Sequence, residues 1–336
     1  MTRYLITGGA GFIGSHLAEA LLQGGCGVQV LDDLSTGSLE NLRDLKPREE
    51  FGLTVGDVAD PAVVAPLIEV ADGVFHLAAA VGVRLIFENP TRAIRTNIRG
   101  AEVVLDLAAR RKKKVLIASS SEVYGKGIRI PLAEADDLKL GPTTCPRWAY
   151  ACSKAIDEFL ALAYWKERAA PVVIARFFNT VGPRQSGQYG MVIPRFVRQA
   201  LAGEPLTVYG DGRQTRCFAH VADVVRAAIE LMESPATVGE VYNVGSEEEI
   251  SIGELAQRVV ALTGSDSEIR HVPFGEAFGP DFEDMERRVP NVAKLRSVIA
   301  WTGLRSIDDI LRDVIAWARE AAAAVPAGPA AESPPR

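Results

Sequence analysis

The chain has 336 residues, 48% of them hydrophobic, and a formal net charge of −6. That length buries a core of its own without disulfides or structural metals, and the acidic balance argues against nucleic acid or an anionic membrane as partners. Cys26, Cys145, Cys152 and Cys217 form no CxxC pair and the four histidines are dispersed, so no metal is expected. Scattered thiols suit a reducing compartment. Met1 runs directly into an apolar strand with no charged leader, and no uninterrupted apolar run reaches the roughly 18 residues of a membrane helix. A cytoplasmic protein is expected.

In chain order, short β-rich runs alternate with longer helical segments. Strands are expected at Tyr4–Thr7, Gly27–Leu31, Leu53–Val55, Gly73–Leu77, Lys114–Ala118 and Val172–Arg176, with helices such as Phe12–Gln23, Thr91–Arg110 and Trp148–Arg168 between them. This is the pattern of a parallel sheet covered on both faces. Past Asn179, loops punctuated by Pro and Gly (GPRQSGQYG, VYGDGRQ) predict a smaller domain over the carboxyl ends of the strands, where open α/β sheets bind ligands. The expected division is 1–178 for the sheet domain, with the chain crossing back after residue 215, and 179–320 mainly for the smaller domain. Residues 321–336, rich in Ala and Pro, are expected to be a disordered tail.

TGGAGFIGSHL follows the first strand, with Gly8, Gly11 and Gly14 three apart. The first permits a tight turn, the second lets backbone approach a pyrophosphate, and the third lets helix and strand pack closely. The helix start at Phe12 and Ile13 then offers free N–H groups to a phosphate. A plain turn is the alternative, but the strand–loop–helix context favours a doubly wound, Rossmann-type α/β fold. Asp32, at the end of the second strand, is placed to accept from ribose hydroxyls and to repel a 2′-phosphate, which favours NAD over NADP. A helix N-cap is its alternative role, one that Asp33 and Ser35 could fill.

Together with Asp57-Val58 after the third strand and HLAAA (His76–Ala80) after the fourth, these motifs resemble the extended short-chain dehydrogenase/reductases, from about Arg3 to about Trp317. The resemblance implies that Asp57 and Val58 meet the adenine and that Leu77, Ala78 and Ala79 line the cofactor. Tyr150 and Lys154 form YACSK, one helical turn apart. A phenol near pKa 10 is a poor base at neutral pH, and a nearby ammonium favours the phenolate. Tyr150 would take the proton from a sugar hydroxyl, with Ser120 hydrogen-bonding the same oxygen and Lys154 also holding the nicotinamide ribose.

The family contains epimerases, 4,6-dehydratases, decarboxylases and reductases, so the fold does not choose among them. SSSEVYG places Glu122 two residues after Ser120, where dehydratases and UDP-glucuronate decarboxylases carry a carboxylate; a solvated loop acid is the alternative. CPRWAYACSK and GPDFEDMERRVPNVAKL are similar to segments of UDP-glucuronate decarboxylases, in which an active-site arginine maps onto Arg288, with Arg287 the less favoured neighbour. An arginine can grip a carboxylate with a planar fork of donors; the alternative is a surface salt bridge to Glu286 or Asp284. The resemblance further implies Asn179 at a nucleotide-contacting position, Arg216 on the diphosphate, Tyr209 at the uracil pocket, and Arg195 in the helix that covers the base. Each could be an ordinary loop residue. Cys152 is expected to be a buried helix cysteine, and Arg84 is left without a role.

The preferred expectation is NAD-dependent decarboxylation of UDP-glucuronate through a 4-keto intermediate, giving UDP-xylose or its 4-keto form. Alternatives are 4-epimerisation of a UDP-sugar and 4,6-dehydration; a non-catalytic NAD(H)-binding protein would not need the Ser120, Tyr150 and Lys154 set. A homodimer formed through two-helix packing is the family's habit.

Overall fold

A computed structural model describes residues 1–80, 90–127, 129–187, 191–278, 287–302 and 304–324. Its centre is a seven-stranded, wholly parallel sheet. In chain order the strands are β1 (Arg3–Thr7), β2 (Gly27–Asp32), β3 (Phe51–Val55), β4 (Gly73–His76), β5 (Lys114–Ser120), β6 (Val172–Phe177) and the later β11 (Glu240–Val244). Their spatial order is β11-β6-β5-β4-β1-β2-β3. Both faces are covered, which is why the strands read as near-continuous apolar runs.

Helix α1 (Phe12–Gln23) and α6 (Val221–Glu233) lie on one face, burying Leu17, Leu21, Val224 and Leu231 against Ile6, Val30 and Phe75. On the other face are α2 (Pro61–Val70), α3 (Pro90–Arg110) and α4 (Arg147–Arg168), with Val64, Val104 and Ala161 against Leu5, Val74 and Ile174. Local signals set the ends. Asp60 accepts from Ala62 N at 2.9 Å to cap α2, whose first residue is Pro61.

Further elements include β7 (Thr180–Val181), α5 (Val192–Leu201), β8 (Leu206–Tyr209), β9 (Thr215–Cys217), β10 (Ala219–His220), β12 (Glu249–Ser251), α7 (Ile252–Thr263), β13 (Ile269–Val272), β14 (Arg287–Arg288) and α8 (Ile307–Ala324), with short helical turns between them. A separate apolar cluster of Ile193, Phe196, Val208, Leu255, Val259, Ile310 and Val314 holds α5, α7 and α8 together. The three-stranded sheet β12-β9-β14 carries two arginines of the site.

Two expectations need correction. α8 continues to Ala324, so residues 321–324 are helical rather than part of a tail; the alanine run has the highest helix propensity of any residue type. Cys152 is exposed, not buried, because it lies two residues from Tyr150 and so on nearly the opposite side of α4.

Candidate active site

The loop after β1 folds tightly against the loop after β4. Gly8 has φ +73°, and a Cβ there would meet Ala78 N at 2.7 Å, while one at Gly14 would meet Gly9 Cα at 2.7 Å. Gly11 sits over Gly8 O, and Phe12 and Ile13 open α1, half-buried, with Phe12 edge-on to His16. Leu77–Ala79 flank this cradle: Leu77 N donates to Thr7 O and Ala78 N to Thr7 Oγ1. A groove that side chains would fill, at the amino end of a helix, fits a dinucleotide pyrophosphate.

Asp32 ends β2 with Oδ2 accepting from Ala10 N at 2.9 Å and Oδ1 from Leu34 N at 2.8 Å. Burial pushes its carboxyl above the usual carboxylate range, against the pull of those two N–H groups. Each oxygen keeps a further lone pair for a ribose hydroxyl. Turn capping falls to Asp33, which accepts from Ser35 N at 2.9 Å. Asp57 accepts from Ala59 N at 2.8 Å, and buried Val58 lies against Gly100, where a Cβ would come within 2.8 Å of it. The residues present therefore fit NAD.

The residues expected to be catalytic gather at the carboxyl end of β5 and the first turns of α4. Ser120 ends β5, its Oγ accepting from Glu122 N at 3.2 Å and hydrogen-bonding the Tyr150 phenol. Burial pushes that phenol above its ordinary value, Glu122 adds to the rise, and the Ser120 hydrogen bond opposes it. Lys154, one turn along α4, is buried and its Nζ donates to Asp157 Oδ2 at 3.2 Å.

Arg288 is brought to the same place from the small sheet. It sits on β14 at 6% exposure, its Nη2 2.7 Å from Glu122 Oε1 and its Nη1 3.4 Å from Ser121 Oγ, while its Nε is buried with no partner. Its neighbour Arg287 points the other way and forms a bidentate pair with Glu249 at 2.8 and 2.8 Å. Strand alternation thus puts Arg288 inside and Arg287 outside. Glu122 is not a solvated loop acid, and Arg288 is no surface residue; Glu286 and Asp284 lie outside the described residues. Before any substrate binds, Glu122 already neutralises Arg288.

Of the residues expected on the nucleotide, Arg216 is the ladder partner of Arg288, buried, with Nη1 donating to Thr215 O at 2.7 Å. Arg195 stacks over Tyr209, 4.2 Å from its ring centre, and donates to Thr207 O at 3.1 Å. Asn179 Nδ2 donates to Cys217 O at 2.9 Å, so its side chain ties the link after β6 to the end of β9. Arg84 lies outside the described residues.

Several buried polar groups behind the site were not anticipated. Glu158 takes Arg176 in a bidentate pair at 2.9 and 2.7 Å and also accepts from Ser119. His76 Nδ1 bonds Thr7 Oγ1 at 2.8 Å, and burial beside Lys154 holds its pKa down to about 3, so it stays neutral. Asn97 links Ala80 N to Ser153 Oγ, bracing the loop after β4 against α4. Asp157 could have been found from its i+3 spacing to Lys154; the others depend on long-range contacts.

The comparisons agree with this geometry. Residues 4–245 match the NAD dependent epimerase/dehydratase family. A UDP-N-acetyl-alpha-D-glucosaminuronate decarboxylase of Bacillus cytotoxicus is 44% identical over 319 residues, covering 95% of this chain and 98% of that protein. UDP-glucuronic acid decarboxylase 1 of Xenopus tropicalis is 36% identical over 95% of this chain and 72% of its own length. Among solved structures, the UDP-glucuronic acid 4-epimerase of Bacillus cereus, in complex with UDP-glucuronic acid and NAD, superposes with a TM-score of 0.84 at 28% identity, over 95% of this chain and 100% of that one. With a glycine cradle, the serine–tyrosine–lysine set and a family match over most of its length, the chain belongs to the NAD-dependent epimerase/dehydratase family.

Proposed function

We propose that this protein is an NAD-dependent decarboxylase of UDP-hexuronic acids, with UDP-glucuronate the favoured substrate and its 2-acetamido counterpart differing only at carbon 2. The observation that carries the reading is Arg288, a buried guanidinium with an unsatisfied Nε, paired with Glu122 beside Ser120 and Tyr150. A neutral hexose offers the open Nε no anionic acceptor; a uronate carboxylate does, in exchange with Glu122.

NAD, when bound, supplies the acceptor that oxidises sugar carbon 4 and the donor that can later reduce the ketone. Gly8, Gly11, Gly14, Asp32 and Lys154 would hold it. Tyr150 accepts the carbon 4 hydroxyl proton, and Ser120 fixes that oxygen. The resulting β-keto acid breaks its carbon 5–carbon 6 bond; carbon dioxide leaves and the electron pair moves onto the carbon 4 oxygen. There Ser120 and the proton now on Tyr150 stabilise the developing charge. Arg288 orients the carboxylate, and Glu122 manages the proton that carbon 5 regains. Arg216 binds the diphosphate, with Asn179, Tyr209 and Arg195 forming the nucleotide side.

Residues 179–320 serve mainly as the substrate cap on the NAD-binding part. The protein acts as a homodimer through α3 and α4, supported by a stripe of Cys152, Ile156 and Phe159 on the outer face of α4, Phe159 being 69% exposed. A cytoplasmic site suits the free thiols among the described cysteines; no described helix is long and apolar enough to cross a membrane.

The deciding experiment is mass spectrometry of products from UDP-glucuronate, UDP-N-acetylglucosaminuronate, UDP-glucose and dTDP-glucose. Loss of carbon dioxide from a uronate is expected. A carbon 4 epimer without carbon dioxide, or a 4-keto-6-deoxy sugar, would overturn the reading.

A further inference from the structure

Asp157 lies one turn beyond Lys154 on α4, fully buried at 0% exposure. Its Oδ2 accepts from Lys154 Nζ at 3.2 Å, and its Oδ1 has no partner. A buried carboxylate with an idle acceptor carries a desolvation cost, so an apolar residue there would pack more favourably. The adjacent Glu158 is no substitute, since Arg176 and Ser119 occupy it. Among the described residues, Asp157 is the carboxylate within ion-pair reach of Lys154.

We propose that Asp157 is a positioning residue that acts through Lys154, keeping the ammonium in place in dry surroundings and moderating its pull on Tyr150. The inference rests on the reading of Tyr150 and Lys154 as the catalytic pair. Two other side chains act on the phenol, Glu122 and Ser120, while His76 lies beside Lys154 and Arg288 against Glu122. Glu122, from the turn after β5, repels a phenolate, and Ser120 stabilises it by hydrogen bonding. His76, at the end of β4, is neutral and adds no charge. Arg288, on β14, is offset by Glu122. Asp157 repels the phenolate as well, so its charge offsets part of what Lys154 contributes. Holding the lysine and tempering it are one function, because a single carboxylate does both.

The test uses the full-length protein and Asp157→Asn, which removes charge at constant shape. The acid limb of the pH profile for NAD reduction should move to lower pH by about one unit. NAD affinity, measured by calorimetry, should fall about tenfold, and that fall should vanish in a Lys154→Met background, where nothing remains to position. Asp157→Glu should keep the wild-type limb. If the Asn variant does not fold, Asp157→Ser, which leaves room for water beside Lys154, is read in the same way. An unmoved limb with unchanged NAD affinity, or an equal affinity loss in the Lys154→Met background, would overturn the proposal. Tyr150→Phe is the separate control: retained turnover there sinks the catalytic reading itself, whatever Asp157 does.

Discussion

Arg288 Nη2 lies 2.7 Å from Glu122 Oε1, so a strand of the small sheet and the turn after β5 meet as a nearly buried ion pair. On the proposed reading, Glu122 competes with a substrate carboxylate for the same guanidinium. Glu122→Gln should bind UDP-glucuronate more tightly than wild type, by about three- to tenfold, while releasing carbon dioxide far more slowly. Affinity for UDP-glucose should not change. Arg288→Ala should weaken UDP-glucuronate by roughly 30- to 1000-fold and UDP-glucose little. Calorimetry beside carbon dioxide detection separates the two effects; weaker uronate binding by Glu122→Gln would show that the pair does not exchange.

Tyr150 is pushed up by burial and then by Glu122. If Tyr150 is the base proposed above, the oxidation rate should climb with pH up to the phenol's pKa in the NAD complex. Glu122→Gln removes a repelling charge, which should move that rise to lower pH. Tyr150→Phe should lose turnover by about 10²- to 10⁴-fold with NAD binding retained. The readout is the initial rate of NAD reduction across pH.

Asp32, the residue proposed for the ribose, also holds Ala10 N and Leu34 N. Asp32→Ala should narrow the preference for NAD over NADP and lower the melting temperature as well, because two backbone donors lose their acceptor. Binding titrations with both cofactors test the first part and thermal melts the second. Equal affinity of the wild type for the two cofactors would refute the assignment.

Glu249 is held down to about 2 from its usual 4.5, first by Arg287. A depressed folded-state carboxylate contributes stability that is present above the unfolded value and is lost as pH falls through the folded one. Wild type should therefore lose part of its stability between pH 4.5 and about 2, and Glu249→Gln should lose less in that window. The pair is partly exposed, so the difference should be small and should shrink with salt. Melts over an acid pH series at two salt concentrations check both statements.

Phe159→Glu should turn a dimer into a monomer, since it places a charge in the exposed apolar stripe of α4. Sedimentation velocity decides it. A wild type that sediments as a monomer refutes the dimer outright.

Much of the sheet side was legible because its signals are local. Gly8, Gly11 and Gly14 lie within one turn and one helix start, and Tyr150 and Lys154 share a helix face. The fold's edge was less so: EVYNV is a five-residue strand whose place beside β6 depends on chain returning from the smaller domain. Arg288 could be named, but its union with Glu122 could not, since strand pairing between β9 and β14 brings it there. Cys152 was put on the wrong face although helical phase alone decides it. The buried Glu158–Arg176 pair lacked a sequence signal, for each residue alone reads as solvated surface charge.

Arg216 and Arg288 are paired residues on adjacent strands of the small sheet. Their backbones are thus held at about the 4.8 Å pitch of a β-ladder, with both side chains on one face. Whatever anions the two guanidiniums take are spaced by the rungs of that ladder and not by the loops around it. Insertions in those loops can change what enters the site, yet they leave this calliper unchanged. Changing it requires a register slip, and a slip of one residue would turn Arg288 outward and bring Arg287 or Val289 in.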